Sequence, residues 1–394
     1  MNILVDANVP ASDACFAALG NVRRLPGRDI DARALVDADA LVIRSITRLD
    51  GDTIERAKAL GSPLSFVGTC TIGTDHVDQA ALAAHGIGFA SAPGCNAEAV
   101  VDYVLSSLLL ALERRGESLF GRRVGIVGVG NVGGRLASRL EALGVECLRC
   151  DPPRKALAAS GDDFVDLDTV IQRCDVLCLH TPLVTEGQHA TYHLLGARRI
   201  DALAPGTIVL NAGRGDCLDG EALKARLVSR GDITALLDVW EGEPGIDHGL
   251  SRRVDLATPH IAGHSLDGKL RGTHQIYAAL SRHVGLPTRI AFADLAPPPA
   301  LARLELGPGL GADEALRLCM RAVYDPRRDH DALARALGGE APAEGFDACR
   351  ANYPLRREFA TLEVAVSGDA MALAPLLEGA GFRVVHDVER PRAG

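Results

Sequence analysis

The stretch at residues 122–144, RRVGIVGVGNVGGRLASRLEALG, decides the fold. An apolar strand-like run, VGIVG, leads directly into a G-x-G-x-x-G pattern at Gly128, Gly130 and Gly133, and a helical pattern opens at Asn131 and Val132. Strand, glycine turn and helix in that order form the phosphate-binding corner of a dinucleotide fold. The first glycine makes the tight turn, the second lets backbone approach a pyrophosphate, and the third lets helix pack on strand. The free N–H groups at the start of the helix then face the phosphates. The next strand-like run ends at Asp151, 23 residues after Gly128, where a carboxylate is expected on the adenosine ribose. A carboxylate there repels a 2′-phosphate, which favours NAD over NADP, although Arg154 and Lys155 lie close by.

Working outward, six strand-like runs follow one another with helical runs between: VGIVG, VECLRCD, DVLCLHTP, TIVLNAG, TALLDVW and VDLATPH. Together they predict a doubly wound nucleotide domain, in which ligands sit beyond the carboxyl ends of the strands. Three successive strand ends carry Arg214 in NAGRG, Glu243 in DVWEGEP and His260 in TPHIAGH. This trio suits oxidation of a 2-hydroxy acid. The planar fork of Arg214 grips a carboxylate and the C2 oxygen, and the glycines flanking it are expected to leave room for substrate and nicotinamide. His260 takes the hydroxyl proton, and Glu243 orients the imidazole and stabilises its cation.

The first hundred residues also alternate strand and helix patterns, from NILVDA through DALVIRS and LSFVGT to GFASAP. A helical run at 97–114 leads into the nucleotide domain. After His260 comes another helix, then a proline-rich break, DLAPPPALAR, and a tail with strand patterns in LARLELG, ATLEVAVSG and FRVVHD. The simplest reading of the tail cations Arg327, Arg328, Arg356 and Arg357 is a solvated charged face. A net charge of −9 argues against binding to nucleic acid or an anionic membrane. With no signal peptide pattern at the start, a cytoplasmic location is expected. Cys147 and Cys150 have C-x-x-C spacing, but on a strand they point to opposite faces and no second pair follows, so no metal is expected.

The order of these motifs resembles the D-isomer-specific 2-hydroxyacid dehydrogenases. The resemblance runs over nearly the whole chain, through ILVDANVP, ADALVIRSIT, FVGTCTIGTDHVD, APGCNAEAVVDYV, DVWEGEP, HIAGHSLDGKLRGT, VYDPRRD and NYPLRRE. It implies an α/β architecture in which a Rossmann-type doubly wound NAD domain (99–263) is inserted in a flavodoxin-like substrate domain (1–98 and 264–287). A small C-terminal α/β dimerisation domain (288–394) follows, making a homodimer. A cleft that closes on substrate and excludes water is implied too. The resemblance assigns catalysis to Arg214, Glu243 and His260, and substrate contacts to Ser45, Thr71 and position 264. NAD contacts fall on Asp151, Thr181, Ala212, Gly213, Arg214, Asp238 and Gly263. Two positions depart from the family pattern: His264 stands where a tyrosine is usual, and Gly213 where a cysteine is usual. With Arg44 beside Ser45, the expected substrate is a small hydroxy acid with a phosphate remote from its carboxylate. Alternatives are a related dehydrogenase, such as one acting on 3-phosphoglycerate, or a non-catalytic NAD-sensing protein on the same fold.

Overall fold

The computed structural model describes residues 1–157 and 164–386. The chain divides into two compact units, the first made of Met1–Asn96 with Ser265–Pro298, the second of Ala97–His264 with Pro299–Gly394.

The first unit is built on a five-stranded, wholly parallel sheet of β1 (Asn2–Asp6), β2 (Asn21–Leu25), β3 (Ala40–Ile43), β4 (Phe66–Thr69) and β5 (Gly88–Ala90). Their order is β2-β1-β3-β4-β5, the flavodoxin-like arrangement. The inner strands β3 and β4 are buried at every residue, as a parallel sheet covered on both faces requires. β2 is the strand that the apolar pattern does not show. Its NVRRL sequence lies on the open edge with Asn21, Arg23 and Arg24 exposed, so backbone pairing with β1 makes it a strand. The helix Leu266–His283 presses on the sheet. A methyl at Gly68 would come within 2.4 Å of Ile276, and one at Gly272 within 2.6 Å of the Cys70 carbonyl oxygen.

The second unit contains β6 (Arg123–Val127), β7 (Glu146–Cys150), β8 (Val176–Leu179), β9 (Ile208–Asn211), β10 (Thr234–Leu237) and β11 (Leu256–Ala257), all parallel, in the order β7-β6-β8-β9-β10-β11. The expected six strands are there, but an outer seventh position is not legible as a run. A single bridge, Phe164 to Arg149, occupies the place beyond β7 that the third strand takes in a Rossmann sheet. The helix Ala97–Arg114 is buried along most of its length, and its Val101, Leu105 and Leu112 enter the same core as β6 and the helix Asn131–Ala142.

The tail adds a three-stranded parallel sheet, β12 (Arg303–Leu306), β13 (Glu363–Val366) and β14 (Arg383–His386), in chain order. Asp387, read at the end of the last strand pattern, lies outside the described residues. Leu306, Leu316, Phe359 and Leu377 join the core that holds Val101 and Leu140, so the tail is one packed body with the nucleotide-binding part. The solvated face expected of its arginines is not what forms. Arg356 is 2% exposed and Arg357 8%, while Arg327 and Arg328 remain half-exposed. No helix among the described residues is long and apolar enough to cross a membrane.

Candidate active site

The glycine corner is formed by β6, the turn at 128–130 and the helix Asn131–Ala142. Each glycine has a separate cause. Gly128 has φ +87° and lies against the next strand's exit, where a methyl would meet the His180 carbonyl at 2.8 Å. A methyl on Gly133 would fall 2.0 Å from the Gly128 carbonyl oxygen, so the helix could not seat on the turn. Around Gly130 a methyl would meet nothing within 4 Å, so no protein contact demands glycine there. The helix behind it has no side-chain cap, leaving the N–H groups at Asn131, Val132 and Gly133 for an anion. An open cradle before an uncapped helix fits a pyrophosphate. Asp151 stands beside it, accepting from Val129 N at 2.8 Å and Arg154 N at 3.1 Å. The Arg154 guanidinium is turned to the Val129 carbonyl.

The ends of β9, β10 and β11 are neighbours in the sheet, so their loops emerge side by side. Asn211, the last residue of β9, shapes the arginine loop. Its buried amide accepts from Gly213 N at 3.1 Å and donates to Arg214 O at 3.0 Å. The flanking glycines are required by packing, whatever room they also leave for a ligand. A methyl on Gly215 would lie 2.0 Å from the Trp240 carbonyl, and one on Gly213 3.0 Å from Thr181 O. Thr181 itself is nearly buried and donates to Cys217 Sγ. Ala212 and Arg214 are half-buried.

Glu243 and His260 are directly paired. Glu243 Oε2 lies 2.7 Å from His260 Nδ1, and its other oxygen accepts from Trp240 N at 2.9 Å. A carboxylate can only accept, so Nδ1 carries a proton and, in the neutral imidazole, Nε2 presents a lone pair. That is the form of imidazole able to take a proton from a hydroxyl. The imidazole is about one-third exposed.

The loop bearing His260 is held on two sides, and sequence reasoning missed one of them. His260 itself has φ +55°, a conformation costly for a side-chain-bearing residue unless its surroundings impose it. Asp238, buried at the end of β10, accepts from Thr258 Oγ1, Ile261 N and Ala262 N at 2.7–2.8 Å. Burial raises its pKa, against the pull of His260 and of these hydrogen bonds. Both of its oxygens are thus engaged in shaping the 258–262 loop, with Gly263 following. The carbonyls of the same loop are taken by the tail. Arg356 donates to Ile261 O at 3.4 Å, to Ala262 O at 2.9 Å and to Ala99 O, and its guanidinium lies 4.0 Å from the Tyr324 ring centre. A lone arginine in a tail segment gave no signal of this role. His264 packs edge-on against Tyr353, ring centres 5.5 Å apart.

The expected substrate residues Arg44, Ser45 and Thr71 belong to the first unit, just beyond β3 and β4. Ser45 is exposed and Arg44 half-buried. The Thr71 hydroxyl donates to Gly73 O at 2.8 Å and must accept from Thr69 Oγ1, 2.7 Å away. Cys147 and Cys150 sit on β7, where burial pushes their thiols up to about 12 and about 11, so neither is a thiolate at neutral pH. Among the described residues no cluster of three or more His, Cys, Asp or Glu side chains is placed to hold a metal ion.

Residues 109–262 match the family model for the NAD-binding domain of D-isomer-specific 2-hydroxyacid dehydrogenases, and 295–378 match a domain of unknown function. The chain is 58% identical to an erythronate-4-phosphate dehydrogenase of Chromohalobacter salexigens, covering 98% of this chain and 99% of the relative. It is 50% identical to the enzyme of that name from Azotobacter vinelandii, covering 98% and 100%. The NAD-bound 3-phosphoglycerate dehydrogenase of Entamoeba histolytica shares the fold, with a TM-score of 0.60 at 20% identity over 72% of this chain and 96% of that one. The chain therefore belongs to the erythronate-4-phosphate dehydrogenase family of NAD-dependent D-isomer-specific 2-hydroxyacid dehydrogenases.

Proposed function

We propose that this protein oxidises 4-phospho-D-erythronate to 2-oxo-3-hydroxy-4-phosphobutanoate, a step in pyridoxal 5′-phosphate biosynthesis. The relatives' names supply the substrate, and the observation that carries the chemistry is the Glu243–His260 pair with Nε2 left as the acceptor. NAD, when bound, supplies the two-electron acceptor for the C2 hydrogen. His260 Nε2 takes the proton of the C2 hydroxyl, and Glu243 holds the resulting imidazolium. Arg214 grips the substrate carboxylate and the C2 oxygen, a task for a planar fork. NAD contacts are assigned to Gly128, Gly130, Asn131, Val132, Gly133, Asp151, Thr181, Ala212, Gly213, Arg214, Asp238 and Gly263. Arg44, Ser45, Thr71 and His264 are assigned to the substrate, with the phosphate on the Arg44 side.

The domain reading is carried with it: a substrate domain of 1–98 and 264–287, an NAD domain of 99–263, and a dimerisation domain of 288–394 in a cytoplasmic homodimer. Turnover of purified protein with NAD on 4-phosphoerythronate, erythronate and 3-phosphoglycerate tests the reading, with light scattering for the dimer. Highest kcat/KM on 4-phosphoerythronate supports it. Preference for 3-phosphoglycerate, or for no 2-hydroxy acid at all, refutes it.

A further inference from the structure

Two cationic side chains of the first unit are brought close enough for their charges to act on one another. Arg44 follows β3 and Cys70 follows β4, and Cys70 N donates to Ile43 O at 2.8 Å, so the two strand ends lie side by side. The helix Leu266–His283 crosses this point, its Gly272 pressed on the Cys70 carbonyl. Lys269 lies one turn earlier on the same helix face, over the strand ends. Arg44 Nη1 is buried and has no hydrogen-bond partner, an arrangement rare and costly for a guanidinium nitrogen. Burial, and then the nearby Arg44 charge, bring the Lys269 ammonium down to about 8, and no carboxylate offsets either effect.

Like charges held together and partly stripped of water call for an anion. A phosphate dianion neutralises both cations, whereas a carboxylate neutralises one. Thr71, a neighbouring hydroxyl, has its proton engaged with Gly73 O, so the charge of the phosphate is met by the two cations. We propose that Arg44 and Lys269 together form a phosphate-binding site, occupied by the phosphoryl group of the substrate. The identity of that occupant rests on the function proposed above; the site itself does not.

The test has two arms, both on the NAD-loaded protein. In the first, binding of inorganic phosphate is measured by calorimetric titration. Parent protein binds it, and Lys269→Met and Arg44→Met each weaken binding about 10- to 100-fold, the worth of a charge-assisted hydrogen bond. In the second, the ratio of kcat/KM for 4-phosphoerythronate over erythronate falls by about tenfold or more in Lys269→Met and is largely restored in Lys269→Arg. Lys269→Met removes a desolvated charge while keeping most of the side chain's length, so folding is retained; a thermal melt checks this. If parent protein fails to bind phosphate, or both variants bind it as the parent does, the site does not exist. A parent preference for the phosphorylated substrate that survives Lys269→Met overturns the role of Lys269 and leaves the proposed function standing. Phosphate binding that both variants lose, in a protein with no preference for 4-phosphoerythronate, supports the site and overturns the proposed function.

Discussion

Replacing Glu243 with Gln isolates what the carboxylate does for His260. Glu243 accepts twice, from His260 Nδ1 at 2.7 Å and from Trp240 N at 2.9 Å. An amide cannot do both. If its oxygen stays on Trp240 N, the NH2 group faces His260 Nδ1, and the imidazole moves its proton to Nε2 to accept from it. The ring then presents a donor where a base is needed. Recovering the working tautomer means setting two donors face to face, about 1–3 kcal/mol for a lost hydrogen bond with both groups desolvated. The imidazolium formed during turnover also loses a charged acceptor, about 1.5–3 kcal/mol more. The sum is about 2.5–6 kcal/mol, or a fall in kcat of about 10²- to 10⁴-fold. Steady-state kinetics at saturating NAD and substrate measure it, and NAD affinity, read by fluorescence quenching, is expected to stay near the parent value. A kcat within about threefold of the parent would refute the assignment of His260 as the base oriented by Glu243.

Three further outcomes are expected. Arg214→Lys keeps the charge but loses the fork, and is expected to lower kcat/KM by several kcal/mol, on the order of one bidentate contact, with both kcat and KM affected; activity within about twofold of the parent contradicts it. Arg356→Met leaves the carbonyls of Ala99, Ile261 and Ala262 without their donor, so the melting temperature is expected to fall with a stability loss of about 2–4 kcal/mol, and kcat to fall more than KM rises as the His260 loop loosens; a parent-like kcat in protein that still folds contradicts the second part. With the Lys269 ammonium held at about 8, its binding form is complete below that pH and is lost as pH rises through it. KM for the phosphorylated substrate, already a dianion above about pH 7, is therefore expected to rise between about pH 7 and 9.5 in the parent and to stay flatter in Lys269→Arg. A flat parent profile contradicts this.

What the sequence displays follows from burial and local geometry. Strands β3, β4, β6, β8, β9 and β10 are almost wholly buried, so they read as apolar runs, and the glycine corner reads because the turn at Gly128 and the helix seat at Gly133 each need a glycine. β2 and the bridge at Phe164 do not read, since an exposed edge is made by pairing and leaves no apolar pattern. At the site, Arg214, Glu243 and His260 announce themselves by residue type at strand ends. Asn211 and Arg356 do not, nor, in the first unit, does the Lys269 of the proposed phosphate site. Asn211 acts through a loop only two or three residues away but looks like any strand-end amide, whereas Arg356 meets the His260 loop across some 95 residues of chain. Lys269 sits on an amphipathic helix where a lysine looks solvated. The glycines beside Arg214 are legible as a constraint, and the packing of Trp240 and Thr181 adds a cause that the sequence does not display.

Deuterium at C2 follows the hydride from substrate to cofactor. Purified protein is incubated with NAD and 4-phosphoerythronate carrying deuterium at C2, and the reduced cofactor is examined by mass spectrometry alongside the keto acid product. Hydride transfer with His260 as the base requires reduced cofactor one mass unit heavier, formed in equal amount with a 2-oxo product that has lost its deuterium, and loss of this signal by about two decades or more in His260→Asn. Reduced cofactor without the label, or an unaltered rate in His260→Asn, would contradict it.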